Sequence, residues 1–345
     1  MMTTQVAFIF PGQGSQAIGM GADIYAASAE ARRVFETVDE TLGFSLSTLC
    51  FHGPEDTLRA TINAQPAITT VSLAFLAAFQ EALSPQKSSW DSPLTPAYTA
   101  GHSVGECTTL VAAGALDLKG AALLVRERGR LMHEEETICP GGMAALLGMD
   151  AETAQEICAE ATRKAVAELP SDDLTHPGQG QVVVANYNAP GQIVISGEQR
   201  ALALATELAK ARGAKRVMPL SVSGAFHSPV MQPAADKLAH SLENADFHAP
   251  AIPIISNIAA TPLTEVRVLR EELAQQVASS VQWVRTIEYL VGAGVTTFIE
   301  IGPGQALTGM IKRIAKGVTM INIGSVAEVE KAAAQVRDMG LVSDI

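Results

Sequence analysis

Five residues, Gly101-His102-Ser103-Val104-Gly105, constrain this chain more than any other stretch. A short apolar run, Ala97 to Ala100, leads into them, and a helical pattern begins near Glu106. The G-x-S-x-G spacing between a strand and a helix predicts a tight, strained elbow. Flanking glycines tolerate the backbone that such a turn needs, so the serine hydroxyl projects from it and the next N–H, that of Val104, can face an oxyanion. Ser103 is therefore a candidate nucleophile.

The rest of the chain supplies the layers an elbow requires. Short apolar strand candidates alternate with longer helical patterns, which indicates an α/β fold with a parallel-rich sheet. Val6 to Phe10 reads as a buried strand, followed by the turn-rich Pro11-Gly12-Gln13-Gly14-Ser15-Gln16. Pro66 to Leu83 and Leu118 to Met132 have helical spacing, while Ser84 to Pro96 and Leu169 to Gly180 have loop composition. Near Gly141 the texture changes. Strand candidates at Met143 to Gly148, Val182 to Ala185, Ile193 to Ile195 and Val217 to Leu220 enclose helical stretches at Ala151 to Ala167 and Arg200 to Arg212. Strand, helix, two strands, helix, strand is the order of a ferredoxin-like unit. The expected organisation is a large discontinuous α/β domain, 1–140 and 221–345, with a small domain inserted at 141–220 and a cleft between them. Ile252 to Ile255 and Thr297 to Ile301 are strands of the resumed large domain.

Composition narrows the function classes. With 345 residues the chain is long enough for two domains, and a net charge of -12 argues against a nucleic-acid partner. No stretch reads as the roughly 18 uncharged apolar residues of a membrane span. The N-terminus lacks a basic run before an apolar one, so a cytoplasmic protein is expected; separately, a monomer is expected. Cys50, Cys107, Cys139 and Cys158 show no C-x-x-C spacing and read as reduced thiols, with no metal and no cofactor called for. Lys215-Arg216 and Lys312-Arg313 with Lys316 are either a cationic patch for an anionic partner or ordinary solvated helix ends.

A serine nucleophile needs a base. Among seven histidines, His227 in Ser221-Val-Ser-Gly-Ala-Phe-His-Ser-Pro229 is the strongest candidate, because it lies in a loop of irregular backbone at the expected cleft. His102 adjoins the serine and should point away from it. No orienting carboxylate stands out: Asp117, Asp150, Asp172 and Asp173 lie between Ser103 and His227, but none ends a clear strand. A Ser-His dyad oriented by a carbonyl or amide stands beside the triad as an alternative.

Several ordered segments together resemble the malonyl-CoA:acyl carrier protein transacylases and the related acyltransferase domains of fatty acid and polyketide synthases. They are Phe10-Pro-Gly-Gln-Gly-Ser-Gln16, Gly101-His-Ser-Val-Gly-Glu106, Arg128-Gly129, Asn186-Tyr-Asn-Ala-Pro-Gly-Gln-Ile-Val-Ile-Ser-Gly197, Gly224-Ala-Phe-His-Ser228, Val281-Gln-Trp283 and Glu300-Ile-Gly-Pro-Gly304. The resemblance spans nearly the whole chain. It implies a hydrolase-like α/β domain carrying a ferredoxin-like insert, and transfer of malonyl from malonyl-CoA to the phosphopantetheine thiol of an acyl carrier protein.

Carried over residue by residue, the resemblance makes Ser103 the nucleophile and His227 the base. Gln13 and Val104 become the backbone donors of the oxyanion hole, and Arg128 the holder of malonyl's free carboxylate. Gln282 would orient His227 through its backbone carbonyl, with its side chain lining the pocket. Phe226 before the histidine, with Val104 after the serine, accompanies malonyl over methylmalonyl selection. Without the resemblance, Arg126, Arg128 and Arg130 read as a solvated helix face. Cys107 departs from the family pattern, standing where an aromatic residue is expected. Two other classes fit parts of the pattern: a serine hydrolase of esters or thioesters, and an inactive domain kept for protein contacts. Arg128 discriminates the first from a transacylase, since a neutral ester offers it nothing to bind.

Overall fold

Val6 to Phe10 are five consecutive apolar residues, a pattern suited to a strand covered on both faces. A computed structural model describes residues 5–84, 94–169, 175–222 and 224–342. Asp172 and Asp173 lie outside the described residues, as do parts of both expected loops. Ten strands form among the described residues: β1 (Gln5–Phe10), β2 (Tyr98–Gly101), β3 (Gly141–Leu147), β4 (Val182–Ala189), β5 (Gln192–Glu198), β6 (Arg216–Pro219), β7 (Ile254–Ile255), β8 (Pro262–Leu263), β9 (Val295–Ile301) and β10 (Thr319–Ile323).

The larger sheet has the order β10-β9-β1-β2-β7-β8, parallel throughout except for the final β7–β8 pair. β1 is central, which accounts for its unbroken apolar run. Its neighbour β2 is in register with it, Phe10 opposite Gly101, so the two strands end side by side. Ligands of open parallel sheets bind at the carboxyl ends of strands. Here those ends carry the Pro11–Gln16 loop and the serine elbow.

The second sheet, β4-β5-β3-β6, is antiparallel throughout and is covered by helices Ala151–Ala167 and Gln199–Ala211. It has its own apolar core, including Leu146, Ile157, Val184, Ile195 and Ala205. It is fastened to the larger part through β4: Tyr187 N donates to Val281 O at 2.9 Å, and Val281 N to Ala185 O at 2.8 Å. Arg313 adds a second tie, its guanidinium donating to Gln192 Oε1 at 2.8 Å and to Pro190 O at 2.5 Å across the β4–β5 turn.

Two helices place the chemistry. Helix Leu118–Ile138 runs beyond the expected Met132 and crosses helix Thr61–Leu83 at Gly129. A Cβ there would come within 2.9 Å of Ile62 Cα and Thr61 O, so only glycine allows the approach that sets Arg128 beside Gln65. Thr61–Leu83 corrects one expectation from the sequence, since its 23 residues are long and apolar enough to span a membrane. In the fold, 89% of that window is buried, which marks it as the central core helix of the large domain.

Candidate active site

The elbow is built by close approach. A Cβ on Gly101 would fall 1.9 Å from Gly105 C, one on Gly105 would fall 2.2 Å from Phe10 O, and one on Gly12 would fall 2.5 Å from His102 O. Three glycines thus let β2, the turn and the Pro11 loop share one small space. Ser103 takes φ 54° and ψ -115° immediately before helix Val104–Ala112, whose first N–H groups lack helical acceptors. Asn257 fixes the turn, accepting from Ser103 N at 2.8 Å and donating to Gly101 O at 2.7 Å.

Ser103 Oγ lies 2.7 Å from His227 Nε2. His227 also has positive φ, 58°, and its own N–H donates to Val277 O. Of the three non-glycine residues with positive φ among the described residues, two are this serine and this histidine. Left-handed backbone costs a side-chain-bearing residue on the order of 1–3 kcal/mol, and such strain concentrates where a side chain must be aimed.

The orientation of His227 differs from expectation. Its Nδ1 faces two backbone carbonyls, Gln276 O at 2.8 Å and Ser279 O at 3.1 Å. Gln282 does neither of the things the resemblance implied. Its carbonyl accepts from Thr286 N at 2.9 Å, its N–H donates to Asn257 O, and the residue lines a separate cavity with Asp150, Tyr187 and Arg285. The V-Q-W segment serves instead to pair Val281 with β4 and to bury Trp283.

Burial, and then the positive charge of Arg128, push the His227 imidazole down to about 3 from its ordinary 6.5. Because the folded value lies below the unfolded one, the neutral base persists as pH falls from 7 to 5. Native stability declines over the same window, since only the unfolded chain takes up the proton. The single-turnover acylation rate should therefore stay within about twofold between pH 7 and 5 while the melting temperature drops. An inflection of the rate near 6.5 would contradict this.

A cavity of about 220 Å³ opens onto the pair, lined by Gln13, His102, Ser103, Arg128, Met132, Asn188, Phe226 and His227, among others. Sequence reasoning placed Ser103, His227, Arg128, Gln13 and Phe226 here, and the fold brings all five together. His102 also reaches the cavity, but its Nε2 is 2.8 Å from Asn188 Oδ1 and its ring stands edge-on to Trp283, so it is engaged away from the serine.

The three arginines expected on one solvated face have different settings. Arg130 pairs with Glu127 and Glu134 at the surface. Arg126 donates to Ile62 O and Asn63 Oδ1 over the Phe44 ring. Arg128 is 2% exposed, with Nη1 2.5 Å from Gln65 Oε1, and Nη2 2.7 Å from Gln276 Oε1 and 3.4 Å from Ser103 Oγ.

Four polar residues that sequence reasoning passed over complete the site: Gln65, Glu106, Asn257 and Gln276. Glu106 is buried, accepts from Asn257 N at 3.0 Å and from Gln276 Nε2, and is held well above the usual carboxylate range by burial and then by Glu272. Gln276 Nε2 also donates to Ser103 O at 3.0 Å. Only the place of Glu106 inside the elbow motif was a visible signal. Cys107, where an aromatic was expected, is a buried thiol pushed up to about 11, neutral and without a catalytic partner. Glu300 of the Gly-Pro-Gly motif caps helix Ala306–Ile314, accepting from Leu307 N and Thr308 N.

The acyl transferase domain family matches residues 7–336. The malonyl CoA-acyl carrier protein transacylase of Bacillus subtilis is 44% identical over 335 residues, which is 97% of this chain and 98% of that one. Its namesake in Escherichia coli K12 is 38% identical, covering 92% and 94%. Among solved structures, an acyl-carrier-protein S-malonyltransferase from Bartonella henselae superposes with a TM-score of 0.86 at 38% identity, covering 98% of this chain and all of that one. A malonyl-transacylase in complex with its type II PKS acyl-carrier protein gives 0.86 at 35% identity, covering 96% and 100%. With an elbow serine, a carbonyl-oriented histidine and a match along nearly its whole length, the chain belongs to the acyl transferase domain family.

Proposed function

We infer that this protein transfers malonyl from coenzyme A to the phosphopantetheine thiol of an acyl carrier protein through a malonyl-serine ester. The observation that carries the reading is Arg128, a buried guanidinium 3.4 Å from the nucleophile's Oγ. A cation there suits an acyl group that ends in a carboxylate, and a planar guanidinium can grip it bidentately. A hydrolase of neutral esters would gain nothing from burying one.

In the first half-reaction Ser103 Oγ attacks the thioester carbonyl carbon as His227 Nε2 takes its proton. The tetrahedral oxyanion sits against the backbone N–H groups of Val104 and Gln13, donors each worth about 3–4 kcal/mol of transition-state stabilisation. The C–S bond breaks, and His227 returns the proton to the departing thiol. The carrier's thiol then gives its proton to His227 and attacks the ester, the oxyanion forms again, and the C–O bond to Ser103 breaks with the proton restored to Oγ. The Gln276 and Ser279 carbonyls keep Nδ1 protonated and the basic lone pair on Nε2. This is a Ser-His dyad with carbonyls in the carboxylate's place. Phe226, 5% exposed against the cavity, is the wall that an α-methyl group would meet, a preference of about 1–3 kcal/mol for malonyl.

The two cationic clusters meet at one place. Lys215 packs on Gly148, which lies against Gly191 of the β4–β5 turn, and Arg313 reaches the same turn. Exposed Lys215, with its chain neighbour Arg216, and exposed Lys312 beside Arg313 in the chain supply the cationic surface for an acidic carrier.

Intact-mass measurement tests the reading. With malonyl-CoA the protein should gain one malonyl group, which disappears on addition of holo carrier protein and reappears on the carrier. Release of free malonate without transfer would favour a hydrolase.

A further inference from the structure

Arginine has five N–H donors and no acceptor. In Arg128 the closest two contacts are both neutral amide oxygens, the 3.4 Å contact to Ser103 is long, and Nε has no partner. Among the described residues, Arg128 joins no ion pair within 4.0 Å. A fully buried charge without a counter-ion is strongly disfavoured, so the use of amides where carboxylates would pair requires a reason. Glu106 is near enough to act on Arg128 electrostatically, yet Gln276 stands between them, accepting from Arg128 and donating to Glu106. Burial and Glu272 both favour the neutral form of that carboxyl group.

Donor polarity fixes Gln65 from both ends. Because the guanidinium only donates, Gln65 must turn Oε1 toward it. Its Nε2 then donates to Thr61 Oγ1 at 2.9 Å, and the Thr61 hydroxyl donates in turn to Gln13 Oε1 at 2.9 Å. One side chain thus anchors the arginine and is itself tied to the loop that carries Gln13. A carboxylate of the same shape could do the first of these tasks more strongly, but it would neutralise the charge.

We propose that Gln65 is a specificity-determining residue: its neutral amide holds Arg128 in place while leaving the guanidinium uncompensated, so that the first carboxylate the arginine pairs with is that of the acyl group. Gln276 contributes in the same sense, but it also touches Ser103, Glu106 and His227, so Gln65 is the cleaner probe. The inference rests on the reading that Arg128 holds malonyl's free carboxylate.

The test compares wild type, Gln65→Glu and Gln65→Met, measuring single-turnover acylation by malonyl-CoA and by acetyl-CoA as kcat/KM. Wild-type protein should favour malonyl. Equal use of the two would overturn the underlying reading and this inference together. Given that preference, Gln65→Glu should lower the malonyl-to-acetyl ratio by about 100-fold, mostly through weaker malonyl binding, because an internal carboxylate now competes for Arg128. Gln65→Met, equally uncharged, should slow both substrates yet keep the ratio within about threefold of wild type. A wild-type ratio in Gln65→Glu, or a ratio in Gln65→Met as low as that of Gln65→Glu, would overturn the proposal. If Gln65→Glu fails to fold, as judged by its melting curve, the Gln65→Met ratio decides: retained supports it, lost overturns it.

Discussion

Ser103→Ala protein incubated with malonyl-CoA should return its unmodified mass, and transfer to the carrier thiol should fall by about 10⁶-fold. No neighbour can replace the hydroxyl. Cys107 is buried with its thiol pushed up to about 11, and His102 Nε2 is engaged with Asn188. The substitution also leaves the scaffold standing, because Asn257 and Gln276 hold the backbone N–H and carbonyl of residue 103 whatever its side chain. Arg128 loses only its long contact. Binding of malonyl-CoA, measured by calorimetry, should therefore stay within a few-fold of wild type while kcat collapses, the signature of a lost covalent step. A malonyl adduct on the variant would place the nucleophile elsewhere.

The elbow was legible because its constraint is local. Glycines at 101 and 105 must be glycines for contacts that lie within the turn or against the adjacent strand. The insert was legible for a similar reason, since the order of strands and helices is written along the chain. Residues fixed by packing between distant segments were not. Gln276 sits in Gln275-Gln276-Val277, which reads as an ordinary helix end, and its four roles appear only when Ser103, Glu106, Arg128 and His227 converge on it. The more conspicuous Val281-Gln282-Trp283 drew the assignment that belongs to its neighbour six residues upstream. Helical spacing likewise could not separate Arg128 from Arg126 and Arg130. The glycine at 129 could have done so, because an unneeded glycine within a helix costs about 1 kcal/mol and signals a close approach.

Arg128→Ala should reduce malonyl acylation by about 10³-fold and spare acetyl acylation. The figure follows from two charge-assisted hydrogen bonds of about 1.5–3 kcal/mol each to the malonyl carboxylate. A neutral acyl group never made those bonds. The apolar residues of the cavity lining, Met132, Met143 and Phe226 among them, are left in place by the substitution. A second readout separates loss of the cation from mere disorder. Arg128 is the second-largest cause holding His227 at about 3, so its removal should raise the histidine's pKa. The acid limb of acetyl acylation should then move to higher pH, because a base with a raised pKa is protonated, and lost, sooner as pH falls. Malonyl acylation that survives the substitution would remove Arg128 from substrate binding. An acid limb that stays where it is in wild type would show that burial alone sets the base, and the arginine would then act on the substrate without tuning its catalyst.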